Sequence, residues 1–385
     1  MVKNKKVFIF YDYFSPAYKA GGPIQSLDSM IKALNNNFEF SVFCSDHDLD
    51  GSKLKVQEDK WVNYGNSLVF YASQPFLKIG NILSLIKERK ASVLFINGIY
   101  SWYFNIVPLL FAKGSRKIVS ARGMLHPGAL SQKPIKKKVY LMLWKWLHIY
   151  KKCEFHATTN DEKDFIESIF GKTIKVWVAG NFPNILDYSI SLVKKERSLI
   201  LISIALISPM KNHLLVLQAL KKSVQNIVFF IYGPIKEESY WNECKLLIKE
   251  MPQNIKVVYK GEILPNKIPA ALQQAHVFIL PSKSENFGHA IYEAMTVGRP
   301  VITSYFTPWN NLKENNAGIN VAIDDSKEIQ AAVDFFARTD KETLEKWSRA
   351  ARGFALKAID IENIKKQYLE MFTGNTNFTH DNTGY

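Results

Sequence analysis

Cysteine is scarce in this chain, and the few present fit no metal site. Cys44, Cys153 and Cys244 are widely spaced in 385 residues, which offers no disulfide framework and favours a reducing compartment. Long apolar runs are absent as well, since none approaches the roughly 20 residues of a membrane-spanning helix. The apolar stretch Val7–Tyr11 ends at Asp12 with no small-residue cleavage site after it, which argues against a signal peptide. We therefore predict a cytoplasmic protein.

Acidic residues are also few relative to basic ones. The chain has 50 lysines and arginines against 35 aspartates and glutamates, and its formal net charge of +15 implies anionic partners. The imbalance is concentrated between Met124 and Cys153, where no acidic residue occurs and aromatic residues stand among the basic ones. The lysines of this stretch are Lys133, Lys136, Lys137, Lys138, Lys145, Lys151 and Lys152.

This basic segment, Lys133–Lys152, has three interpretations. Aromatic rings and lysine stems suit the headgroup region of a membrane, and each lysine near an anionic leaflet contributes about 1 kcal/mol. The segment therefore predicts a peripheral contact with the inner face of the cell membrane. One alternative is a core helix with a solvated basic face. The other is a site for single-stranded nucleic acid, but no recognition module accompanies the lysines, so we predict no nucleic-acid partner.

Strand-like and helix-like runs alternate along the chain, which is the pattern of parallel α/β sheets. A polar and charged stretch near Asn184–Arg197 separates two such series. The sequence thus predicts two Rossmann-like, doubly wound domains, 1–187 and 198–358, which face a central crevice at the carboxyl ends of their strands. Residues 359–385 are predicted to hold a final helix and a loose polar tail.

The dinucleotide-binding fingerprint G-x-G-x-x-G is missing, yet a glycine pair follows the first predicted strand. Gly21 and Gly22 precede a predicted helix, so a phosphate could approach backbone N–H groups closely there. A plain tight turn is the alternative. In the second half, Lys211 follows the first strand and could neutralise a diphosphate, or it could be an ordinary solvated lysine.

Two glutamates stand eight positions apart late in the chain. Glu285 falls in a predicted loop and Glu293 in the helix that follows it, within the stretch Ser284–Met295. Backbone N–H groups and the helix dipole favour an anion at such a helix start. Carboxylates on either side of a bound phosphate can contact hydroxyl groups, which suits a sugar nucleotide. A surface helix with two solvated glutamates is the alternative.

This pair, with Asn286, Phe287 and Gly288 between its members, resembles the donor-site signature of the family 4, or group 1, glycosyltransferases of the GT-B fold. The resemblance implies a retaining, metal-independent hexosyltransferase with a nucleotide-sugar co-substrate and no further cofactor, and we predict a UDP-linked donor. It also implies that the final helix crosses back to the first domain. Donor-binding positions by this resemblance are Gly21, Gly22, Lys211, Glu285, Asn286, Phe287, Gly288 and Glu293.

The resemblance further implies a role for each side chain. Glu285 would contact hydroxyls of the donor sugar and Glu293 those of the ribose, while Lys211 would stabilise the departing diphosphate. Ser120–Pro127, which contains Arg122 and His126, resembles family members that build bacterial surface polysaccharides. Together with Glu285 and Lys211, these two residues are the predicted catalytic set.

Arg122 could bind a phosphate bidentately. His126 could donate hydrogen bonds or shuttle a proton near neutral pH, with a purely structural histidine as the alternative. The acceptor is predicted to be a glycan or a lipid-linked glycan of lipopolysaccharide O-antigen, capsule or exopolysaccharide. Two positions depart from the family: Leu206 replaces an arginine, and Asn97 replaces a frequent histidine. They keep open an inactive GT-B protein that only binds its ligands.

Two further stretches have competing interpretations. Asp46–Gly51 matches the start of an EF-hand loop, but its twelfth position is Gln57 where a bidentate glutamate is needed. Because a polar loop is expected after the second strand, we predict no metal site. Thr307–Trp309 resembles a donor-side segment of the family, or it forms an apolar tryptophan cap.

Overall fold

The computed structural model describes residues 5–19, 21–130, 134–186 and 198–375. In this part the chain forms two compact units, one holding the residues up to Phe182 and those from Asp360 onward, the other Pro183–Ile359. Each unit is built on its own sheet. Most of the predicted join between the domains, 187–197, lies outside the described residues, as do Lys133 and the tail from 376.

The sheet of the first unit has eight described strands in the order β3-β4-β2-β1-β5-β6-β7-β8. They are β1 (Lys5–Phe10), β2 (Phe38–Ser45), β3 (Trp61–Tyr64), β4 (Ser67–Ala72), β5 (Val93–Asn97), β6 (Arg116–Ser120), β7 (Glu154–Ala157) and β8 (Val176–Val178). All neighbours are parallel except β3 and β4, an antiparallel edge hairpin. Every residue of β5 is buried, as expected for a central strand covered on both faces. The sequence pattern had missed β3.

Helices connect these strands and cover the sheet. They are α1 (Gly22–Leu34), α2 (Ile79–Arg89), α3 (Val107–Phe111), α4 (Pro127–Leu130), α5 (Pro134–Trp146) and α6 (Asn160–Phe170). A π-helical turn over Trp102–Ile106 leads into α3. On one face of the sheet, α2, α3, α5 and α6 contribute apolar side chains to a continuous core.

The second unit contains six described strands, all parallel, in the order β11-β10-β9-β12-β13-β14. They are β9 (Ser198–Ile204), β10 (Asn226–Tyr232), β11 (Ile255–Tyr259), β12 (Val277–Leu280), β13 (Val301–Ser304) and β14 (Gly318–Val321). Its helices are α7 (His213–Lys221), α8 (Glu238–Lys249), α9 (Ile268–Gln273), α10 (His289–Thr296), α11 (Ser326–Arg338) and α12 (Lys341–Ala358). Separate apolar cores fill the two faces of this sheet.

The last described helix, α13 (Ile361–Thr373), belongs to the first unit although it follows α12 in sequence. Its Phe372 ring lies 5.4 Å from the rings of Phe38 and Phe95 and 6.2 Å from that of Phe40. Aromatic pairs at such distances add to the burial that holds a helix in place. α13 is therefore packed on the face of the first sheet opposite the core described above.

Both sheets reverse their strand order beside their first strand. β1 lies between β2 and β5, and β9 lies between β10 and β12. Doubly wound sheets bind ligands at the carboxyl ends of the strands at such a switch point. The loops that follow β1 and β9 carry the Gly21–Gly22 pair and Lys211, so both predicted loops start from a switch point.

Candidate functional site

Three loops of the second unit are hydrogen-bonded to one another at the carboxyl edge of its sheet. Lys283, after β12, donates its backbone N–H to the Met210 carbonyl oxygen in the loop after β9, at 2.8 Å. Glu285 donates its backbone N–H to the Phe306 carbonyl oxygen in the loop after β13, at 3.1 Å. The loop that carries Glu285 is thus fixed from both sides.

Lys211 and Glu285 meet in a direct ion pair. The ammonium Nζ of Lys211 lies 2.5 Å from the carboxylate Oε1 of Glu285, which also accepts a hydrogen bond from the Ser282 hydroxyl at 2.7 Å. Both side chains are mostly shielded, with 21% of the lysine and 12% of the glutamate exposed. The sequence had placed both residues at one site with different ligand groups. The structure adds that the two side chains neutralise each other in an ion pair.

The helix start after Glu285 requires glycine. Gly288, three residues beyond Glu285, has φ +75° and caps α10 without a side-chain hydrogen bond. A Cβ atom at Gly288 would lie 3.1 Å from Ile291 Cδ1 and 3.2 Å from Trp309 Nε1. The left-handed backbone and the close packing both exclude a larger residue.

Trp309 supports this loop from the side. It is buried, and its indole N–H donates to the Phe287 carbonyl oxygen at 2.6 Å. Its ring also lies 5.5 Å from the rings of Phe287 and Tyr292. In the described structure Trp309 therefore shapes the loop that holds Asn286 and Phe287, as well as capping an apolar cluster.

Glu293, the second glutamate, is in a different environment from Glu285. It lies inside α10, only 3% exposed, and accepts a hydrogen bond at Oε1 from the Asn184 amide at 3.1 Å. Burial raises the pKa of Glu293 to about 7, and the hydrogen bond from Asn184, which lowers the pKa, offsets only part of that rise. Near neutral pH this carboxyl group is therefore partly protonated, so it can donate as well as accept a hydrogen bond.

Asn212 and His213 follow Lys211, and sequence reasoning missed them. Asn212 caps α7 in the left-handed conformation (φ +61°), and its buried Nδ2 has no acceptor among the described residues. The His213 Nε2 lies 3.1 Å from the Ser203 hydroxyl, while its buried Nδ1 has no such partner. Burial first, and then the charge of Lys211, lower the His213 pKa to about 4. The sequence signal that could have identified this helix start was the asparagine directly before the helix, because asparagine tolerates the left-handed conformation.

The helices that follow the three predicted ligand loops begin without a capping side chain. This holds for α1 after Gly21, for α7 and for α10, and also for α2, α8 and α9. By contrast, capping side chains accept hydrogen bonds at the starts of α6, α11, α12 and α13. Uncapped N–H groups and the helix dipole suit an anion.

The aspartates that suggested a calcium loop hold the glycine loop instead. Asp48 Oδ2 accepts the backbone N–H groups of Tyr18 at 3.1 Å and Lys19 at 3.3 Å, just before Gly21. Asp46 is paired with His47 at 2.6 Å. In the described part of the chain, no three or more histidines, cysteines or acidic residues are arranged to hold a metal ion.

At the carboxyl edge of the first sheet, Arg122 and Asn97 are in contact. Arg122 Nε donates to Asn97 Oδ1 at 3.0 Å, so the asparagine that replaces the family's histidine positions a guanidinium. His126 lies apart from that contact: its Nδ1 accepts the Gly128 backbone N–H at 3.1 Å, and its ring packs edge-on against Phe165. That hydrogen bond leaves Nε2 as the protonated nitrogen of a neutral His126 ring.

Comparison with known proteins finds a family model and a curated relative. Residues 186–354 match the family model described as "Glycosyl transferases group 1". Over 262 residues the chain is 26% identical to an Escherichia coli UDP-Gal:alpha-D-GlcNAc-diphosphoundecaprenol alpha-1,3-galactosyltransferase, a match that covers 61% of this chain and 66% of that protein.

Two solved structures share the fold over nearly the whole chain. Sucrose-phosphate synthase from Thermosynechococcus elongatus aligns with a TM-score of 0.73 at 15% identity, covering 96% of this chain and 99% of that one. Anabaena HepE in complex with UDP and glucose aligns with a TM-score of 0.68 at 16% identity, covering 96% and 100%.

Two conclusions follow. The fold is that of the GT-B glycosyltransferases, which confirms the predicted fold class. The residues that match the group 1 glycosyltransferase model, 186–354, include Lys211, Glu285 and Glu293.

Proposed function

We propose that this protein is a retaining, metal-independent glycosyltransferase that moves a sugar from a UDP-sugar to a glycan or lipid-linked glycan of a bacterial surface polysaccharide. The ion pair between Lys211 and Glu285, on loops fixed at a switch point of the second sheet, carries the proposal. The names of the relatives support the substrates: the E. coli enzyme uses UDP-Gal and a diphosphoundecaprenol-linked sugar, and HepE was solved with UDP and glucose.

In this mechanism the donor separates the ion pair. Lys211 turns to the diphosphate and neutralises charge as the bond between the sugar carbon and the phosphate oxygen breaks. Glu285, still held by the Ser282 hydroxyl, accepts hydrogen bonds from the sugar. Asn212 offers the buried amide N–H group that lacks an acceptor. The acceptor oxygen bonds to the same face of the sugar carbon, and its proton passes to the departing diphosphate oxygen.

Substitution of Glu285 tests the proposal. Glu285→Gln keeps the shape but removes the charge that fixes Lys211 and the sugar, so transfer should fall at least about 100-fold. Glu250→Gln is the matched control, because Glu250 forms an exposed 2.6 Å pair with Lys221 in the same unit. Donor binding is measured by calorimetry over a panel of UDP- and GDP-sugars, and transfer by product analysis.

The outcomes separate the competing interpretations. A wild-type protein that binds no sugar nucleotide defeats the proposal. Binding without transfer to any glycan or lipid-linked glycan would instead establish an inactive GT-B binding protein. Inversion at the transferred sugar carbon would refute the retaining mechanism, and loss of transfer in EDTA would refute metal independence.

A membrane contact completes the proposed function, and helix α5 of the first unit supports it. Ile135, Val139, Met142 and Trp146 recur at helical spacing and are 78%, 52%, 59% and 75% exposed. On another face Trp144 is buried in the core. No described helix is long and apolar enough to cross a membrane. We propose that the exposed stripe, flanked by lysines, inserts into the headgroup region of an anionic bilayer.

Flotation with anionic liposomes tests this contact. One triple variant changes three exposed lysines of α5 to glutamine: Lys136, Lys138 and Lys145. A control triple changes three exposed lysines of the second unit: Lys245, Lys249 and Lys256. The first should lose most binding and the control should keep it, because each lysine near the surface contributes about 1 kcal/mol. Equal binding by both variants would exclude α5 as the contact, and salt-sensitive binding to oligonucleotides would favour nucleic acid.

A further inference from the structure

Arg122 is held in a fixed place at the carboxyl edge of the first sheet. It follows β6 with φ +50°, and Gly123 follows with φ +75°. Glu162, buried at the start of α6, accepts the Gly123 backbone N–H at 2.6 Å and both the N–H and the hydroxyl of Thr158 at 2.7 Å. This carboxylate stabilises the left-handed turn, so the guanidinium is presented in a defined direction.

The hydrogen-bond partners of this guanidinium are all neutral. Besides Asn97, they are Asn181 Oδ1 at 3.0 Å and the Ser26 hydroxyl at 3.5 Å, both reached by Nη1. Other arginines of the same unit are paired with acids, Arg116 with Glu154 at 2.8 Å for example. Among the described residues, Arg122 has no such pair.

Two buried donors near this position also lack an acceptor. Arg122 Nη2 is shielded from solvent and hydrogen-bonds to no described residue, and the same is true of the Tyr368 hydroxyl on α13. Burial raises the pKa of Tyr368 to about 12, and the charge of Arg122 opposes that rise, which places the two groups in one electrostatic environment. A shielded donor without an acceptor is costly, and an incoming anion that accepts its hydrogen bond would remove that cost.

The start of α1 adds positive potential to the same place. Ser26 lies in the second turn of α1, so Arg122 contacts the helix about 6 Å along its axis from Gly22, at roughly 1.5 Å per residue. That helix has 13 residues, and its Gly21 cap supplies no side chain. The dipole of the helix and the guanidinium therefore favour an anion at one edge of the sheet.

We infer that Arg122 binds a phosphate group of a substrate, an inference that rests on the proposed function. The planar guanidinium offers paired donors that match phosphate oxygens, and charge-assisted bonds of this kind are the strong ones. Two sources share the chemistry: the diphosphate of a lipid-linked acceptor and the diphosphate of the nucleotide sugar. The acceptor diphosphate is the proposed source, and kinetics separates it from the donor, whose predicted ligands include Gly21 and Gly22 in the same unit as Arg122.

Kinetics with two acceptors tests the inference. Arg122→Gln is compared with Arg122→Lys and with the control Arg89→Gln, whose arginine pairs with Glu39 in the same unit. One acceptor is a glycan with a diphosphate at its reducing end, and the other is the same glycan without phosphate. Arg122→Gln should raise the KM for the first about 10- to 100-fold, with little change for the second or for the UDP-sugar. Arg122→Lys keeps the positive charge but lacks the paired donors of the guanidinium, so its KM for the diphosphate acceptor should lie between those of the wild type and Arg122→Gln.

Each result decides the matter. A raised KM for the UDP-sugar alone would uphold the phosphate contact and assign it to the donor. Equal losses with both acceptors, or no loss with either substrate, would overturn it. If Arg122→Gln does not fold, Arg122→Lys is compared with the wild type instead. Loss of the paired guanidinium donors alone should still raise the KM for the acceptor with a diphosphate more than the KM for the acceptor without phosphate.

Binding of inorganic pyrophosphate keeps this test independent of turnover. In a Lys211→Met background, which removes the lysine predicted to bind the donor diphosphate, pyrophosphate should still bind. Its affinity should be lost when Arg122→Gln is added. Absence of pyrophosphate binding in the Lys211→Met protein would defeat the inference even if transfer activity is established. Conversely, failure of the wild type to bind any sugar nucleotide would defeat the proposed function. Pyrophosphate binding that depends on Arg122 would still uphold the phosphate contact in that case.

Discussion

Each unit places a cation at the carboxyl edge of its sheet, Lys211 after β9 and Arg122 after β6, and the surroundings of the two charges are opposite. In the second unit Lys211 is neutralised by Glu285 at 2.5 Å. In the first, the guanidinium of Arg122 is surrounded by neutral oxygens of Asn97, Asn181 and Ser26. In the proposed mechanism the Lys211–Glu285 ion pair separates when the donor binds. The pair costs the folded protein little stability, and its two charges then contact the ligand instead of each other. An unpaired cation costs stability in the folded protein and is satisfied when an anion binds.

Their buried histidines differ in a related manner. Both ring nitrogens of His156 have partners, the Ser120 hydroxyl at 2.8 Å and the Ala179 carbonyl oxygen at 2.9 Å, and burial lowers its pKa to about 3. His213 has a partner at one nitrogen, among the described residues. The first histidine completes a structural network. The second leaves a polar atom unused beside the predicted diphosphate position.

The largest expected effect comes from removing the cation of the second unit. Lys211→Met should lower kcat by about 100- to 1,000-fold, because electrostatic stabilisation of a leaving group is a large catalytic contribution. Lys221→Met, on the exposed face of the same unit, is the control. Steady-state rates with a saturating acceptor measure the effect. A Lys211→Met enzyme with more than a tenth of wild-type kcat would show that another cation performs this role.

Glu293→Gln is expected to have the next largest effect, on the pH dependence of stability. The folded pKa is raised to about 7 from an ordinary 4.5, so between these values the unfolded chain loses a proton that the folded chain keeps. Stability from this group is therefore present below pH 4.5 and is lost as pH rises towards 7, by at most about 3 kcal/mol.

Urea unfolding at several pH values measures that loss. Relative to the wild type, Glu293→Gln should gain stability steadily between pH 4.5 and 7. Parallel curves for the two proteins across this window would mean that Glu293 is not the buried acid described.

A matched pair of aromatic substitutions compares the loops of the two units. Trp309→Phe removes the hydrogen bond to the Phe287 carbonyl oxygen, and Tyr140→Phe removes the one to the Ile99 carbonyl oxygen in the first unit. Each should cost about 1–2 kcal/mol, since a buried carbonyl loses its donor. Trp309→Phe should raise the KM for the UDP-sugar, whereas Tyr140→Phe should raise the KM for the acceptor. Effects on the same substrate would show that the two loops serve one ligand.

The smallest effects should come from helix caps away from both sites. Asp360 caps α13 in the first unit and Asp340 caps α12 in the second, each accepting a backbone N–H at the helix start. Replacement by alanine should cost about 1 kcal/mol in either case and leave both KM values unchanged. Thermal unfolding followed by circular dichroism gives the cost. A change in KM would show that the cap is coupled to a site.

Much of the fold could be predicted from local pattern. Apolar runs such as that of β5 predicted buried strands. Two series of alternating strands and helices predicted two doubly wound sheets. The antiparallel β3 was missed because Trp61–Tyr64 is short and only half-buried at a sheet edge, which leaves a weak pattern. The loop that carries Glu285 was also recognisable, because Glu285 and Glu293, with Asn286-Phe287-Gly288 between them, resemble a known donor-site signature.

The amino-acid sequence by itself determined the α/β architecture and the loops that carry the candidate residues, because periodicity, glycine and charge act over a few neighbouring positions. Only the tertiary structure decided what those residues meet. Lys211 and Glu285 are 74 positions apart yet form an ion pair, and Glu293 is buried against Asn184, 109 positions away. Tertiary packing also decides that the described structure places no carboxylate within ion-pair distance of Arg122. Pairing and pKa depend on which distant segments exclude water around a charge, and that is settled when the sheets and loops pack.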